Sequence, residues 1–251
     1  MSAVAVPWAK RVMQFQPSAL RPREESEAHY LGVHSPWAVT TFRDMPEVVG
    51  YHTNLLVGQW DLTGGFGRVP DLWRYATMRY EPPGMEFSRD VGGMLAHDHQ
   101  NFLRDLRRFD VEETVIRERS GPALCAEKYV VVLDRPEGLD AAAASAAVDE
   151  VVGVLADAFD ATYGARRMTC DRVLLERENA PMREPGQLPT GRRLDESRRL
   201  AFVELYLDHE MWGSELFRRP EVLCLQQDSV FAPDSIAAYR VLERAGHDRR
   251  E

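Results

Sequence analysis

Three histidine-bearing stretches carry residue types and spacings that could do chemistry. His97-Asp98-His99 sets two imidazoles at alternate positions around a carboxylate. From a strand or loop, alternate side chains point the same way, so the pair could work as general acid and base, cap a surface or hold a metal. A third ligand at a clear spacing is missing, and no metal is expected. His52 lies between Tyr51 and Thr53 in the run YHTNLLV, where alternation puts Asn54 on the same face. That pairing suits the wall of a polar cavity and suits a solvent-facing edge equally well. His29 and His34 are five apart. On one α-helix they would fall on different faces and could not easily share a metal. His34, just before Pro36, reads either as a structural histidine bonded to the backbone or as a proton donor at a cavity mouth.

Aromatic residues crowd the same part of the chain: Trp37, Tyr51, Trp60, Phe66, Trp73 and Tyr75. Their ordinary use is core packing, and their other use is a flat apolar pocket for a planar ligand. Arg74, among them, could stabilise a phenolate or a phosphate. The turn Gly64-Gly65-Phe66-Gly67 would let a ligand approach the backbone closely. It is not a GxGxxG opening a helix, and no GxxxxGK[ST], GxSxG or HExxH occurs. Dinucleotide-binding, P-loop and covalent hydrolase chemistry are therefore disfavoured.

The elements that must position these groups follow from pattern and punctuation. Ala9–Phe15 alternates as a strand, and acidic Glu24, Glu25 and Glu27 open a helix that Pro36 should interrupt or kink. Tyr51–Val57 and Val69–Ala76 read as strands, with a helix from about Met85 to beyond Met94. Helical character is expected to resume over Asp98–Arg108 before a strand over Phe109–Arg117. That order is β-α-β-β-α-β, the ferredoxin-like arrangement. The second half repeats it. Lys128–Leu133 is a strand, Asp140–Tyr163 an Ala-rich helix capped by Gly164, and Met168–Leu175 a strand. A polar loop fills Glu176–Arg199, and Leu200–Leu207 is a strand. Trp212–Arg219 is a short helix, Leu225–Phe231 the last strand and Asp234–Arg244 a terminal helix. The fold expected is α+β, with two tandem ferredoxin-like repeats, over 9–118 and 126–244, building a dimeric-α/β-barrel-type architecture.

Composition limits the function classes. A formal charge of −9 argues against nucleic acid as the main partner. Cys125, Cys170 and Cys224 are odd in number and form no CxxC, so a disulfide framework or zinc site is not expected, and the setting reads as reduced and cytoplasmic. No apolar run approaches a membrane span, and the first residues lack the apolar core of a signal peptide. Lysine occurs only at Lys10 and Lys128, while arginine is abundant.

Glu27-Ala28-His29-Tyr30-Leu31-Gly32-Val33-His34-Ser35-Pro36-Trp37 resembles the helix of EthD-like and NIPSNAP-like proteins, where an aromatic or histidine precedes a His-x-Pro. Gly50-Tyr51-His52-Thr53-Asn54 resembles the strand after that helix, and Asp71-Leu72-Trp73-Arg74-Tyr75 a later aromatic strand. The resemblance spans about 9–118 and implies the dimeric α/β-barrel superfamily, which also holds polyketide monooxygenases, polyketide cyclases and heme-linked enzymes. The second half lacks the His-x-Pro, and the fused length is similar to that of the flavin-using oxygenases that open a ring of angucycline-type polyketides. The resemblance implies a polyketide-tailoring oxygenase for a polycyclic phenol, with reduced flavin (FAD or FMN) as a possible cosubstrate supplied by a flavin reductase, and a homodimer. His52 would be the base, with His97 or His99 next and His34 as a further candidate. Tyr51, Trp60 and Trp73 would clamp the rings, with Phe66 and Trp37 in the same pocket. The alternatives are a cofactor-free cyclase or isomerase, a heme protein, and a binding or assembly protein with no catalytic site.

Overall fold

The computed structural model describes residues 4–5, 8–59, 73–81, 89–119, 127–179, 191–194, 196–231 and 234–249. In the first half come β1 (Val4–Ala5), β2 (Ala9–Pro17), α1 (Arg23–His29), a π-helical turn (Tyr30–His34), α2 (Ser35–Arg43), β3 (Val48–Gln59), β4 (Arg74–Tyr80), α3 (Arg89–His99) and β5 (Leu103–Glu118). The second half holds β6 (Glu127–Asp134), α4 (Ala141–Asp160), β7 (Ala165–Asn179), β8 (Gly191–Arg193), β9 (Arg199–Leu207), α5 (Glu210–Phe217), α6 (Pro220–Gln227) and β10 (Ile236–Asp248).

Eight strands close into an antiparallel barrel in the order β5-β2-β4-β3-β10-β6-β9-β7, with β7 returning to β5. Within each half the spatial order is last strand, first, third, second. The halves meet at two seams, β3 against β10 and β5 against β7. The barrel thus closes within one chain. β1 lengthens the sheet beside β5 and β8 beside β7.

Strand alternation decides what faces the lumen and what faces the helices. Val12, Tyr75, Phe109, Val130, Val132, Phe202, Ala237 and Tyr239, drawn from both halves, pack against one another inside the barrel. The opposite faces of the strands carry Phe15, Ala76 and Met78 under the first-half helices, and Val131, Leu133 and Val203 under those of the second half. Strand β6 is buried on both sides, hence its unbroken YVVVL. Helix α4 starts where the Asp140 carboxylate accepts a hydrogen bond from the Ala143 N–H at 2.8 Å. Its Val148, Val151, Leu155 and Phe159 face the sheet.

The structure corrects several expectations. The third strand is Arg74–Tyr80 rather than Val69–Ala76, and residues 69–72 lie outside the described ones. No helix resumes after His99. Residues from Leu103 are strand, because Leu106 is paired with Phe15 on one side and Asn179 on the other. Helix α4 ends at Asp160 with Ala161 as its C-cap, not at Gly164. Gly164 is instead needed for packing, since a Cβ there would lie 2.0 Å from the Trp212 ring. The Glu176–Arg199 stretch contains the end of β7 and strand β8. Leu225 belongs to α6, which Pro220 starts. The stretch taken as a terminal helix is β10, which bonds both β3 and β6. Its Ile-Ala-Ala-Tyr run has no strong local preference, and hydrogen bonding on two edges overrides what preference there is.

Candidate functional site

The first-half helix does not stop at Pro36. The chain widens into a π turn at Tyr30–His34, where the Ser35 N–H donates to the Tyr30 carbonyl five residues back, and α2 then runs through Pro36. In an α-helix a five-residue step rotates a side chain by about 500°, leaving two groups some 140° apart. The wider π turn brings them closer to alignment. His29 and His34 accordingly meet one carboxylate: His29 Nε2 donates to Asp98 Oδ1 and His34 Nδ1 to Asp98 Oδ2, each at 2.7 Å. An ionised carboxylate only accepts, so both nitrogens carry hydrogens. Burial pushes the Asp98 carboxyl up, but the hydrogen bonds from His34 and His29 outweigh it and hold the group below its ordinary range. The expectation that these histidines diverge is thereby overturned.

His99, one turn end away on α3, brings its ring to 5.2 Å from that of His34, and Phe102 packs on His29, His34 and His99. Burial, with His34 beside it, pulls His99 down to about 3, so its imidazole is neutral at ordinary pH. His97 is exposed. His97 and His99 stand about 200° apart on α3 rather than side by side on a strand, so the structure does not assemble them into a pair. Among the described residues no group of three or more His, Cys, Asp or Glu is placed to hold a metal.

Beside this cluster a groove of about 280 Å³ opens between the helix and the outer face of the sheet. Tyr30 and Arg74 line it together with Pro36, Val39, Leu55 and Leu242. Arg74 stacks its guanidinium 4.6 Å from the Tyr30 ring centre and 5.0 Å from that of Trp73, and is ion-paired with Glu27. Both Arg74 Nε and the Tyr30 hydroxyl are buried without a hydrogen-bond partner among the described residues. Burial pushes the Tyr30 phenol up to about 12 despite the arginine, so it stays protonated and able to donate. Tyr30 also touches His34, ring centres 5.4 Å apart, and so links the groove to the His-Asp-His cluster.

A second polar centre fills the end of the barrel lumen. Lys10 Nζ donates to Glu113 at 3.0 Å, Asp171 at 2.6 Å and Glu204 at 3.0 Å, all of them buried. Arg79 bonds Glu113 with two nitrogens, and Lys128 reaches Glu204 at 2.9 Å and Glu243 at 2.5 Å. Both lysines of the chain are therefore here. Burial works against the charged form of Lys10, but the three carboxylates more than offset it and raise its pKa. Among the described residues Asp171 has Lys10 as its one cationic partner, shared with Glu113 and Glu204, and burial raises it to about 7. Arg79 and Lys128 supply further charge to Glu113 and Glu204, which are held low.

The residues expected to do chemistry are thus divided by the sheet. His52 points into the lumen, where Nε2 lies 3.0 Å from Asp248 Oδ2 and Nδ1 3.7 Å from Glu243. It cannot reach a ligand in the groove on the other face. Tyr51 points outward but is core, edge-on to Phe42. Trp73 is buried under Tyr30, and half-buried Trp37 stands 6.3 Å from His34. Trp60 and Phe66 lie outside the described residues. Tyr30, Glu27 and Asp98 were not singled out from sequence. Asp98 was visible between its histidines, but the π turn that joins it to His29 and His34 has no sequence period of its own. The lumen lysines did leave a signal: a residue type used at two positions only, each on a strand.

No family model matches the chain, and no curated protein does. Solved structures do. A monooxygenase candidate from Fusobacterium nucleatum subsp. nucleatum superposes with a TM-score of 0.51 at 8% identity, over 95% of this chain and 94% of that one. An anthrone oxidase-like protein gives 0.49 at 11%, over 99% and 98%. A monooxygenase candidate from Lactobacillus acidophilus NCFM gives 0.48 at 8%, over 95% and 94%. The first likeness carries the fold alone, an α+β antiparallel barrel. None singles out the EthD-like, NIPSNAP-like or ring-opening groups. Among the described residues no helix is long and apolar enough to cross a membrane.

Proposed function

We propose that the chain is an oxygenase-type enzyme that binds a polycyclic phenol in the groove between the first-half helix and the sheet. The carrying observation is the buried pair at its base: the Arg74 guanidinium stacked on Tyr30, with Tyr30 Oη and Arg74 Nε both lacking a partner. A phenol oxygen placed there gains a hydrogen bond from Tyr30 and a cation that favours its phenolate, the electron-rich form that reacts with oxygen. His34, oriented by Asp98 and in ring contact with Tyr30 behind the groove wall, is the proposed proton acceptor in place of His52, with Tyr30 standing between it and the ligand. Apolar Pro36, Val39, Leu55 and Leu242 suit a ring system and keep water from it. The Fusobacterium neighbour's designation is in keeping with this reading and enters only as part of it.

The groove lies at the lower edge of small-molecule sites, which run from roughly 300 to 1,000 Å³. At about 280 Å³ the groove is small for a flavin beside a polycyclic substrate. Two ferredoxin-like units fused in one chain, polyketide tailoring, homodimer formation, a flavin reductase partner and a reduced cytoplasmic setting belong to the same proposal. In its favour are the shared strand order of the halves and the free thiols of Cys170 and Cys224.

The test is oxygen uptake by the purified protein with hydroxylated naphthalenes and anthracenes, with and without reduced FMN under controlled aeration. Substrate-dependent uptake that Tyr30→Phe and Arg74→Met reduce supports the reading. Substrate conversion without uptake would move the assignment to a cofactor-free cyclase or isomerase.

A further inference from the structure

The groove's floor is set by strand register. Arg74 pairs with Leu55, and Leu55 with Leu242, giving one row across β4, β3 and β10. The next row on the same face is Ala76, Thr53 and Arg244. Arg74 and Arg244 therefore stand at opposite corners of an apolar patch. Two strand spacings across and two residues along put their Cα atoms about 12 Å apart. Arg74 is 2% exposed and lies deep, while Arg244 is exposed and lies at the rim. Among the described residues, the charged side chains lining the groove are these two arginines, and no carboxylate lines it. The Arg244 side chain has no ion pair or hydrogen bond with another described residue, its ladder pairing with Thr53 being through the backbone. Gly246 lets α2 come down on β10 at this end, since a Cβ there would lie 2.6 Å from Val39 Cγ2.

We propose that the ligand of this groove is an aromatic hydroxy acid, its phenolic oxygen inward on Tyr30 and Arg74 and its carboxylate outward on Arg244. This deepens the reading of the groove as a phenol site and rests on it. The deep end offers a hydroxyl donor and a guanidinium already half satisfied by Glu27, which suits a single oxygen carrying partial charge. The rim offers a whole unpaired guanidinium, whose planar fork matches a carboxylate. Between them the floor is Leu55, Leu242 and Thr53, so the two polar ends must be joined by rings rather than by a polar chain. A ligand with its carboxylate beside its phenol cannot span the two corners.

Calorimetric titration of the full chain with 6-hydroxy-2-naphthoate, 2-naphthol and 3-hydroxy-2-naphthoate tests this. The expected order is 6-hydroxy-2-naphthoate tightest, with a preference of about two- to fivefold over the other two, the range open to a rim ion pair. That preference should shrink in added salt, as exposed charge pairs do. Arg244→Gln, with its melting temperature checked against the parent, should erase the preference. The proposal is overturned if 6-hydroxy-2-naphthoate and 2-naphthol bind alike, or if Arg244→Gln leaves the preference intact. In those cases 2-naphthol binding that Arg74→Met abolishes keeps the phenol site standing. If no naphthol or naphthoate binds, the phenol site falls and this inference with it.

Discussion

His34 Nδ1 lies 2.7 Å from Asp98 Oδ2, and the second oxygen of the same carboxylate holds His29. One aspartate on α3 thus orients two imidazoles on the opposite helix, and only the π turn puts them both within reach.

Asp98→Asn should show the linkage between this contact and pH. The folded-state pKa of Asp98 is lowered, so its contribution to stability is complete above the ordinary carboxylate value and is lost as pH falls through the lower, folded value. The stability gap between parent and variant, read by urea unfolding, should be widest near neutrality and close below about pH 4. A gap independent of pH would mean that the carboxylate charge is not what the histidines hold. Oxygen uptake should fall at least about tenfold with the loss of His34 orientation.

Arg74→Lys keeps the charge but loses the flat stack on Tyr30 and Trp73. Stability should drop by about 1 kcal/mol, the scale of a partly desolvated cation–π contact. The Kd for 2-naphthol should rise about tenfold, because an ammonium cannot lie on the ring and reach the phenol oxygen together. Unchanged binding would place the phenol elsewhere.

Lys10→Met strands Asp171 and takes one cation from Glu113 and Glu204, which keep Arg79 and Lys128. Breaking a buried ion cluster from one side costs about 3–5 kcal/mol, and guanidinium unfolding at pH 7.5 should show a loss of that size. The deficit should narrow toward pH 5 as the stranded carboxylate takes up a proton. A loss under about 1 kcal/mol would show that the lumen tolerates the charges unpaired.

Asp171 titrates in the opposite sense to Asp98. Its folded-state pKa is raised to about 7, first by burial and then by Glu204 and Glu113 against the pull of Lys10. The folded state therefore binds the extra proton, and stability declines as pH rises from the ordinary carboxylate value through about 7. Asp171→Asn removes that decline. The stability of the parent relative to the variant should fall between about pH 4 and pH 7 and level off above. A flat difference across that range would sink the assignment.

His52→Gln separates the two polar centres. It breaks the 3.0 Å contact to Asp248 that ties β3 to the end of β10. A hydrogen bond to a charged group is worth about 1.5–3 kcal/mol, so the melting temperature should fall by several degrees, about 2–4 °C per kcal/mol at this size. Binding of 2-naphthol in the groove should persist, since the sheet lies between. Loss of binding in a folded variant would return His52 to the site.

Much of the fold could be read from order and alternation. Lys128–Leu133 and Leu200–Leu207 announce themselves as strands because both faces are buried, and α4 shows its apolar spacing. These signals are local: each residue's preference agrees with its neighbours'. The failures sit where partners far along the chain decide. Ile236–Asp248 is a strand because β3 and β6 leave a place between them, and residues after Leu103 are strand because β2 and β7 flank them.

The candidate site divides in the same way. The sequence alone determined the residue types: a histidine-rich first half, a crowd of aromatics, Arg74 among them, and a lysine supply confined to Lys10 and Lys128. Tertiary structure decided which of them meet. A one-residue shift of face puts His52 in the lumen and Arg74 in the groove, because strand side chains alternate. A π turn, invisible to any 3.6-residue period, places His29 and His34 on Asp98. Barrel closure gathers Lys10, Glu113, Asp171 and Glu204 from four strands spread along the chain, since charges buried in a lumen persist only where partners from distant strands surround them.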